Sequence, residues 1–177
     1  MNNYVLNAKS DLDSKTAKEQ ELLSSDKFKD LPEVKALKQQ VDHLHEDSSG
    51  NNVLDNKAPN PIPSRQDIEK NLRKKMTALQ SEYNGRLNGL ISQAKSEYVQ
   101  AKKEKKKISN SQLAQKYMGL AEGVEAECDA RAYAVIAYAE NELTRYNYSA
   151  GIADEARKAY QQAKSQRRID LLDSFTK

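Results

Sequence analysis

The chain has 177 residues and a net charge of +3, and only 6 Gly and 4 Pro interrupt a composition that favours helices. With no Trp, two Phe and one Cys, neither a thick globular core nor a disulfide framework is expected. The sequence contains no run of about 18 apolar residues, so no transmembrane helix is predicted. The first residues lack the pattern of a signal peptide. The composition favours an elongated all-α protein. The chain as given is expected to be either cytoplasmic or an already trimmed mature form.

Charge divides the chain near Ser64. Residues 1–64 contain 8 Lys, no Arg and 11 acidic residues, whereas all eight Arg lie beyond them. Gly, Asn and three Pro over residues 48–64 predict a linker, because these residues cannot continue a helix. We therefore expect an N-terminal segment with two short helices over 1–47, and a helical hairpin with a third helix over 65–177.

The second N-terminal helix is predicted to begin at Leu31-Pro32-Glu33, since Pro is favoured at the first helical position, and to end near Asp47. A helix of about 16 residues is not stable alone, so it should dock. It either packs back on the hairpin or binds a partner protein. Its apolar face comprises Leu31, Val34, Leu37, Val41 and Leu44.

Residues 67–147 are predicted to form a long antiparallel hairpin. Along the first arm apolar residues recur in steps of four, four and three, and the nine steps of each arm sum to 33 residues. This is an eleven-residue period, which keeps a stripe nearly straight on an α-helix. Ser64 with Asp67, and Ser109 with Gln112, are suited to cap the two arms. The stripes are Ile68, Leu72, Met76, Leu79, Tyr83, Leu87, Leu90, Ala94, Tyr98 and Ala101, and Leu113, Tyr117, Leu120, Val124, Cys128, Ala132, Val135, Ala139, Leu143 and Tyr146.

The two stripes also predict a register. Facing residues of an antiparallel hairpin have a constant sum of residue numbers, which places Leu72 opposite Leu143 and Leu87 opposite Cys128, about a turn near Lys107. Large residues then face small ones, as interdigitating packing requires. Such pairs are Tyr83 with Ala132, Met76 with Ala139, and Leu120 with Ala94.

A third helix, capped by Ser149, should cover the lower part of the hairpin. Tyr133, Tyr138 and Tyr148 lie outside the predicted seam, so some should contact this helix and an exposed remainder could form a recognition patch. Its inner face comprises Ile152, Ala156, Ala159, Tyr160 and Ala163.

Two glycine pairs, Gly85 with Gly89 and Gly119 with Gly123, lie inside the predicted helices. A helical Gly costs about 1 kcal/mol relative to Ala. Either another element approaches these glycines closely, or they are ordinary weak points.

The hairpin tip is the main candidate site, and we call its five lysines the lysine tip. They suit the negative end of the first arm's dipole without any ligand, but they could also bind a phosphate-rich partner such as nucleic acid. A second basic group (Arg73, Lys74, Lys75, Arg167, Arg168) is interpreted as scattered, solvated charge. The lysine tip comprises Lys102, Lys103, Lys105, Lys106 and Lys107.

No catalytic, metal or cofactor site is predicted. His43 and His45 are two residues apart, on different faces of a helix. The acidic cluster around Glu125 and Asp129 lacks the Glu-x-x-His motifs of a di-iron bundle, and Cys128 is expected to be buried, with no plausible triad. We expect a protein that is not an enzyme.

Three stretches resemble the helical-hairpin C-terminal segment of poorly characterised exported proteins of Gram-positive spore-forming bacteria. They are residues 82–91 (EYNGRLNGLI), 114–117 (AQKY) and 125–131 (EAECDAR), and the resemblance spans about 76–172. It implies an accessory or cell-envelope role and no catalytic residues. The chain departs from these proteins in lacking an export signal.

The sequence therefore predicts a non-enzymatic, coiled-coil-like interaction or structural protein that acts through protein–protein contacts. The alternative is a basic nucleic-acid- or nucleoprotein-binding module, or a small inhibitor, that uses the lysine tip. Self-association is a further expectation, because a third helix leaves part of the hairpin uncovered.

Overall fold

The computed structural model describes residues 17–46, 62–105 and 109–176, and all regular structure there is helical. This confirms the all-α fold class. Most of the predicted linker, and Lys106 and Lys107 of the tip, lie outside the described residues. The helices are α1 over 17–24, α2 Pro32–Glu46, α3 Arg65–Lys103, α4 Asn110–Arg145 and α5 Gly151–Thr176.

Both long helices begin at capping boxes, as the sequence predicts. The Ser64 side chain accepts a hydrogen bond from the backbone N–H of Asp67 at 3.2 Å, and Ser109 accepts one from Gln112 at 3.1 Å. In each case the side chain of the third helical residue also accepts from the cap's own N–H. Each box satisfies two N-terminal amide groups that have no partner inside the helix.

Helices α3 and α4 form an antiparallel hairpin whose register can be read from three ion pairs. From one pair to the next, the residue number rises by 4 and then by 11 along α3, and it falls by the same amounts along α4. The register lies within two residues of the predicted one. The pairs are Glu82–Arg131, Arg86–Glu127 and Glu97–Lys116, with N–O distances of 2.6, 2.8 and 2.7 Å.

The seam between the two arms follows the predicted stripes except at one position. Leu120, expected opposite Ala94, is 46% exposed, whereas its neighbour Ala121 is buried. The buried positions of α4 in this region advance by four from Leu113 through Tyr117 to Ala121. The prediction for Leu120 is wrong because it favoured the larger apolar residue over the one that keeps the spacing.

Helix α4 is the central element of the fold, since α2, α3 and α5 each pack against it. The buried side chains of α4 from residue 128 to residue 143 are mostly small, so three helices can approach it on different sides. This burial on several sides extends beyond the predicted stripe to residues such as Ala130, Ala134 and Ile136. The buried residues are Cys128, Asp129, Ala130, Ala132, Ala134, Val135, Ile136, Ala139 and Leu143.

Helix α2 packs on α4, the first of the two interpretations of its apolar face. Val34 is fully buried and Leu37 is buried against Ala134. The partner-binding interpretation is therefore wrong for Val34 and Leu37, because this chain already covers them. Leu31 is partly buried in the same cluster, Val41 is exposed, and the side chain of Leu44 lies outside the description.

Polar contacts fix the same docking. The Gln40 amide donates to the backbone oxygen of Tyr138 at 3.2 Å and to Glu142 at 2.9 Å. Arg131 of α4 pairs with Glu33 at 3.0 Å. Because both ends of the contact carry hydrogen bonds as well as apolar packing, α2 is an integral part of the fold.

Helix α5 covers the opposite side of α4, as predicted for the third helix. Ala153 is fully buried, and Ile152, Ala156 and Tyr160 pack against the core. The Tyr160 ring meets Tyr133 edge to face, with centroids 5.8 Å apart, which confirms a tyrosine contact with this helix. Among the helices described here, none has the length and apolar character needed to cross a membrane.

Candidate functional site

A buried network of charged side chains joins α4 to α5. Glu125 and Asp129 of α4 are 8% and 5% exposed. Lys164 of α5 lies between them, with its Nζ 2.8 Å from a Glu125 oxygen and 2.6 Å from an Asp129 oxygen. An ion pair this well buried needs such short contacts, because taking charges out of water is costly.

Two further groups complete the network. The Tyr160 hydroxyl donates to Asp129 at 2.7 Å, and Arg168 donates to Glu125. The two carboxylates are thus balanced by two cations. Arg168 is solvated, as interpreted, but it is not a scattered charge, because its guanidinium donates two hydrogen bonds to Glu125.

Arg167, another member of the second basic group, is also not a scattered charge. Its Nη2 donates to Asn88 of α3 at 2.5 Å, which bridges α5 to the hairpin. Its neighbour in the same basic group, Arg73, stays largely exposed on α3, 3.9 Å from Glu69. Lys75 lies over the Tyr138 ring at 5.1 Å.

The pKa shifts in this region describe a structural network. Burial raises the pKa of Glu125, but the hydrogen bonds from Arg168 and Lys164 outweigh burial and lower it. Burial raises the pKa of the Cys128 thiol, and it raises that of Tyr83 to about 12. At neutral pH Glu125 is therefore ionised and paired, while the thiol and the phenol are neutral and weakly nucleophilic.

Within the described part of the chain, no three His, Cys, Asp or Glu side chains are grouped to hold a metal ion. Glu125 and Asp129, four residues apart, have the spacing of a possible ligand pair, but Lys164 occupies the position between them. The side chains of His43 and His45 lie outside the description.

The four helical glycines all face open space. A Cβ added at Gly85, Gly89, Gly119 or Gly123 would have no heavy atom within 4 Å beyond its own helix and chain neighbours. The expectation that another element approaches them closely is therefore not met by any described residue. Within the described part of the chain, no close packing offsets their helix-weakening effect.

Gly89 and Gly123 lie at the same level of the hairpin, on one side. Gly89 follows Arg86 by three residues and Gly123 precedes Glu127 by four, and Arg86 pairs with Glu127. Residues three and four apart share a helix face. Leu120, three residues before Gly123, continues that side, and we call these three residues (Gly89, Leu120 and Gly123) the open face.

The open face interrupts a row of charged pairs. Arg86–Glu127 lies on one side of it and Glu97–Lys116 on the other. Between them lie two glycines, a leucine that is about half exposed, and the exposed Gln93, four residues after Gly89 and four before Glu97. A small, mostly apolar gap between polar groups is the arrangement of a binding surface with a polar rim.

The three described lysines of the tip are all exposed at the end of α3. Lys102 lies over the Tyr98 ring, with its Nζ 4.7 Å from the centroid. Lys102 and Lys103 occupy the last turn of α3, as a dipole role requires, and Lys105 follows with a positive φ of 54°. The structure thus supports the dipole interpretation and leaves these three charges accessible.

Sequence analysis missed both the charged network and the open face. A signal for the network existed: Glu125 and Asp129 are four residues apart, and so are Lys164 and Arg168, which suits pairing between two helix faces. Comparison of the chain with protein-family models, curated proteins and solved structures gives no match. The function is therefore argued from these sites.

Proposed function

We propose that this chain is a non-enzymatic helical interaction protein whose open face binds a helix of a partner protein. The observation that carries the proposal is Leu120, 46% exposed beside two glycines whose added Cβ would meet no neighbouring described residue within 4 Å. Small residues allow another helix to approach closely, and a leucine supplies the apolar contact that such an approach requires.

A helix is the expected occupant because this chain already places one on the same side of α4. Gly123 precedes Ala134 by eleven residues, which is three turns, so both share a face. Ala134 is the residue against which α2 packs through Val34 and Leu37. A partner helix on the open face would continue the line of α2 toward the hairpin tip.

The test is affinity capture from a lysate of the source cells with nuclease present, read by mass spectrometry. Leu120→Lys places a charge on the open face, and Val99→Lys is the matched control, since Val99 is 49% exposed elsewhere on α3. We expect proteins captured by wild type and Val99→Lys to be lost with Leu120→Lys. Capture that both variants retain equally contradicts the proposal.

A second copy of the chain would also be a protein partner. Light scattering across a concentration series measures this directly. A mass that doubles in wild type and Val99→Lys but not in Leu120→Lys assigns the open face to self-association, whereas a monomer in all three assigns it to a different protein.

The lysine tip supports a second candidate function, binding of nucleic acid. The favouring observation is that Lys102, Lys103 and Lys105 are exposed within one turn of each other. Fluorescence anisotropy with a labelled 20-nucleotide strand should show affinity that falls steeply with salt. It should also fall when the tip lysines are changed to Gln. Absence of binding at low salt eliminates this candidate.

A further inference from the structure

Helices α3 and α5 both pack on α4 but leave a groove between them. Its volume is about 480 Å³, within the range of small-molecule sites. Leu72 and Met76 line it from α3, Ala156 and Ala159 from α5, and Cys128 of α4 lies at its floor. The walls are therefore mostly apolar, and the alanines of α5 keep the groove open.

The groove is long and narrow. Its lining residues on α3 extend from Leu72 to Asn84, and those on α5 from Ile152 to Arg167. At about 1.5 Å per residue these stretches are roughly 18 and 22 Å long. A space of this shape suits an extended chain better than a compact ring system.

One end of the groove carries a cation with spare hydrogen-bonding capacity. Arg167 lines the groove and its Nη2 is held by Asn88. Its Nε is buried and has no hydrogen-bond partner among the described residues. The guanidinium therefore keeps N–H donors that Asn88 does not use, and an ionised acceptor suits them best.

The other charges around the groove are less suited to that role. Lys164 is occupied by Glu125 and Asp129. Arg73 is a second arginine of the lining, near Leu72, but its side chain is 68% exposed, so water screens its charge. Glu155, the acidic residue of the lining, lies twelve residues or more than three turns from Arg167 along α5. Charge at the Arg167 end therefore favours an anion, and the apolar side chains between the two arginines favour hydrocarbon.

We propose that this groove binds a single-chain amphipathic carboxylate, of the fatty-acid class, with its head group on Arg167 and its chain along Leu72, Met76, Ala156 and Ala159. The carboxylate accepts from the Arg167 guanidinium. The chain covers the apolar walls and the Cys128 floor. This site is separate from the open face, so the two proposals stand or fall independently.

The probes are decanoate, decanol and decyltrimethylammonium, which share a chain length and differ in head-group charge. Isothermal titration calorimetry on the full chain should show one decanoate per chain, and at least tenfold weaker binding of the cationic probe. Equal affinity for all three, or many molecules per chain, overturns the proposal because it indicates adsorption without a carboxylate site.

Variants locate the site. Arg167→Gln should weaken decanoate at least tenfold and leave decanol within twofold, whereas Arg65→Gln, the same charge change outside the groove, should alter neither. Ala159→Phe fills the groove and should abolish binding of all three probes. Unchanged decanoate affinity in Arg167→Gln overturns the assignment of the head group, and with it the proposal.

A second measurement covers the case in which Ala159→Phe does not fold. Cys128 lies at the groove floor, so bound decanoate should slow its modification by a maleimide in wild type and not in Arg167→Gln. Equal labelling rates with and without decanoate in wild type contradict the site. If light scattering shows an oligomer that dissociates when decanoate is added, the groove is an interface between chains and the proposal fails.

Discussion

The two halves of the hairpin are built differently from the same two helices. We call α2, α5, residues 65–87 of α3 and residues 125–145 of α4 the base. In the base, the other three helices pack against α4, whose buried side chains are mostly small. In the distal arm (residues 89–103 and 110–124), Val99, Met118 and Leu120 are exposed and the glycines face open space. The base has the features of a folding core, and the arm those of a surface for contact.

Charge follows the same division. In the base, Lys164 is 11% exposed and lies between two buried carboxylates. In the arm, Lys116 pairs with Glu97 in contact with water, at a similar distance of 2.7 Å. The N–O distance alone therefore does not show which pair contributes more to stability. The solvent exposure of each pair decides how much free energy is lost when the pair is removed.

The largest effect expected is that of Lys164→Met. It leaves Asp129 buried with only the Tyr160 hydroxyl as a described partner, which should lower the free energy of unfolding by about 3–5 kcal/mol. Urea unfolding followed by circular dichroism measures it. Adding Asp129→Asn should restore part of the loss, because it removes the unpaired charge. A loss below about 1 kcal/mol contradicts the burial of this network.

A smaller loss is expected where α2 docks. Val34→Ala removes two buried carbons, about 0.8 kcal/mol each plus a cavity, so about 2 kcal/mol in total. Val41→Ala, at an exposed position of the same helix, should change the free energy of unfolding by no more than about 0.5 kcal/mol. Hydrogen exchange should show α2 amides protected in wild type. Exchange at the rate of an unfolded peptide contradicts the docking.

Glu125 gives the network a pH dependence. Its pKa in the folded chain lies below the usual 4.5, so the stability it contributes is present at higher pH and is lost as pH falls through the folded pKa. Glu125→Gln should therefore be less stable than wild type at pH 7, and the difference should shrink below about pH 4.5. A constant difference down to pH 3 contradicts the lowered pKa.

How much of this fold is predictable depends on how local its causes are. The capping boxes at Ser64 and Ser109 and the apolar steps of both arms are short-range patterns, and the structure keeps them. The prediction that Leu120 lies on the seam is wrong, because the buried positions keep a four-residue step from Tyr117 to the smaller Ala121.

The candidate sites depend on long-range contacts and were not predicted. Lys164 lies 35 residues from Asp129, and Arg168 lies 43 from Glu125, so nothing in either segment alone identifies its partner. Sequence analysis gave the glycines two interpretations, and only the absence of described neighbours could separate them. An unoccupied face is a property of the arrangement of helices, which local pattern does not specify.

The glycines of the arm give an expected gain in stability. Gly89→Ala and Gly123→Ala meet no neighbouring atom, so each should raise the free energy of unfolding by about 1 kcal/mol through helix propensity. The same two substitutions should weaken partner capture if a helix approaches the open face. A gain in stability with unchanged capture separates the two effects and counts against the proposed occupant.

The smallest effect is expected at the arm's ion pair. Lys116→Met removes a cation that water already solvates, so the urea midpoint should move by a small fraction of the shift caused by Lys164→Met. Salt sharpens the comparison, since screening acts on exposed pairs and much less on buried ones. In 1 M NaCl the effect of Lys116→Met should vanish while that of Lys164→Met persists. Equal sensitivity of both variants to salt would mean that solvent reaches the base network as freely as it reaches the arm, and the division between the two regions would fail.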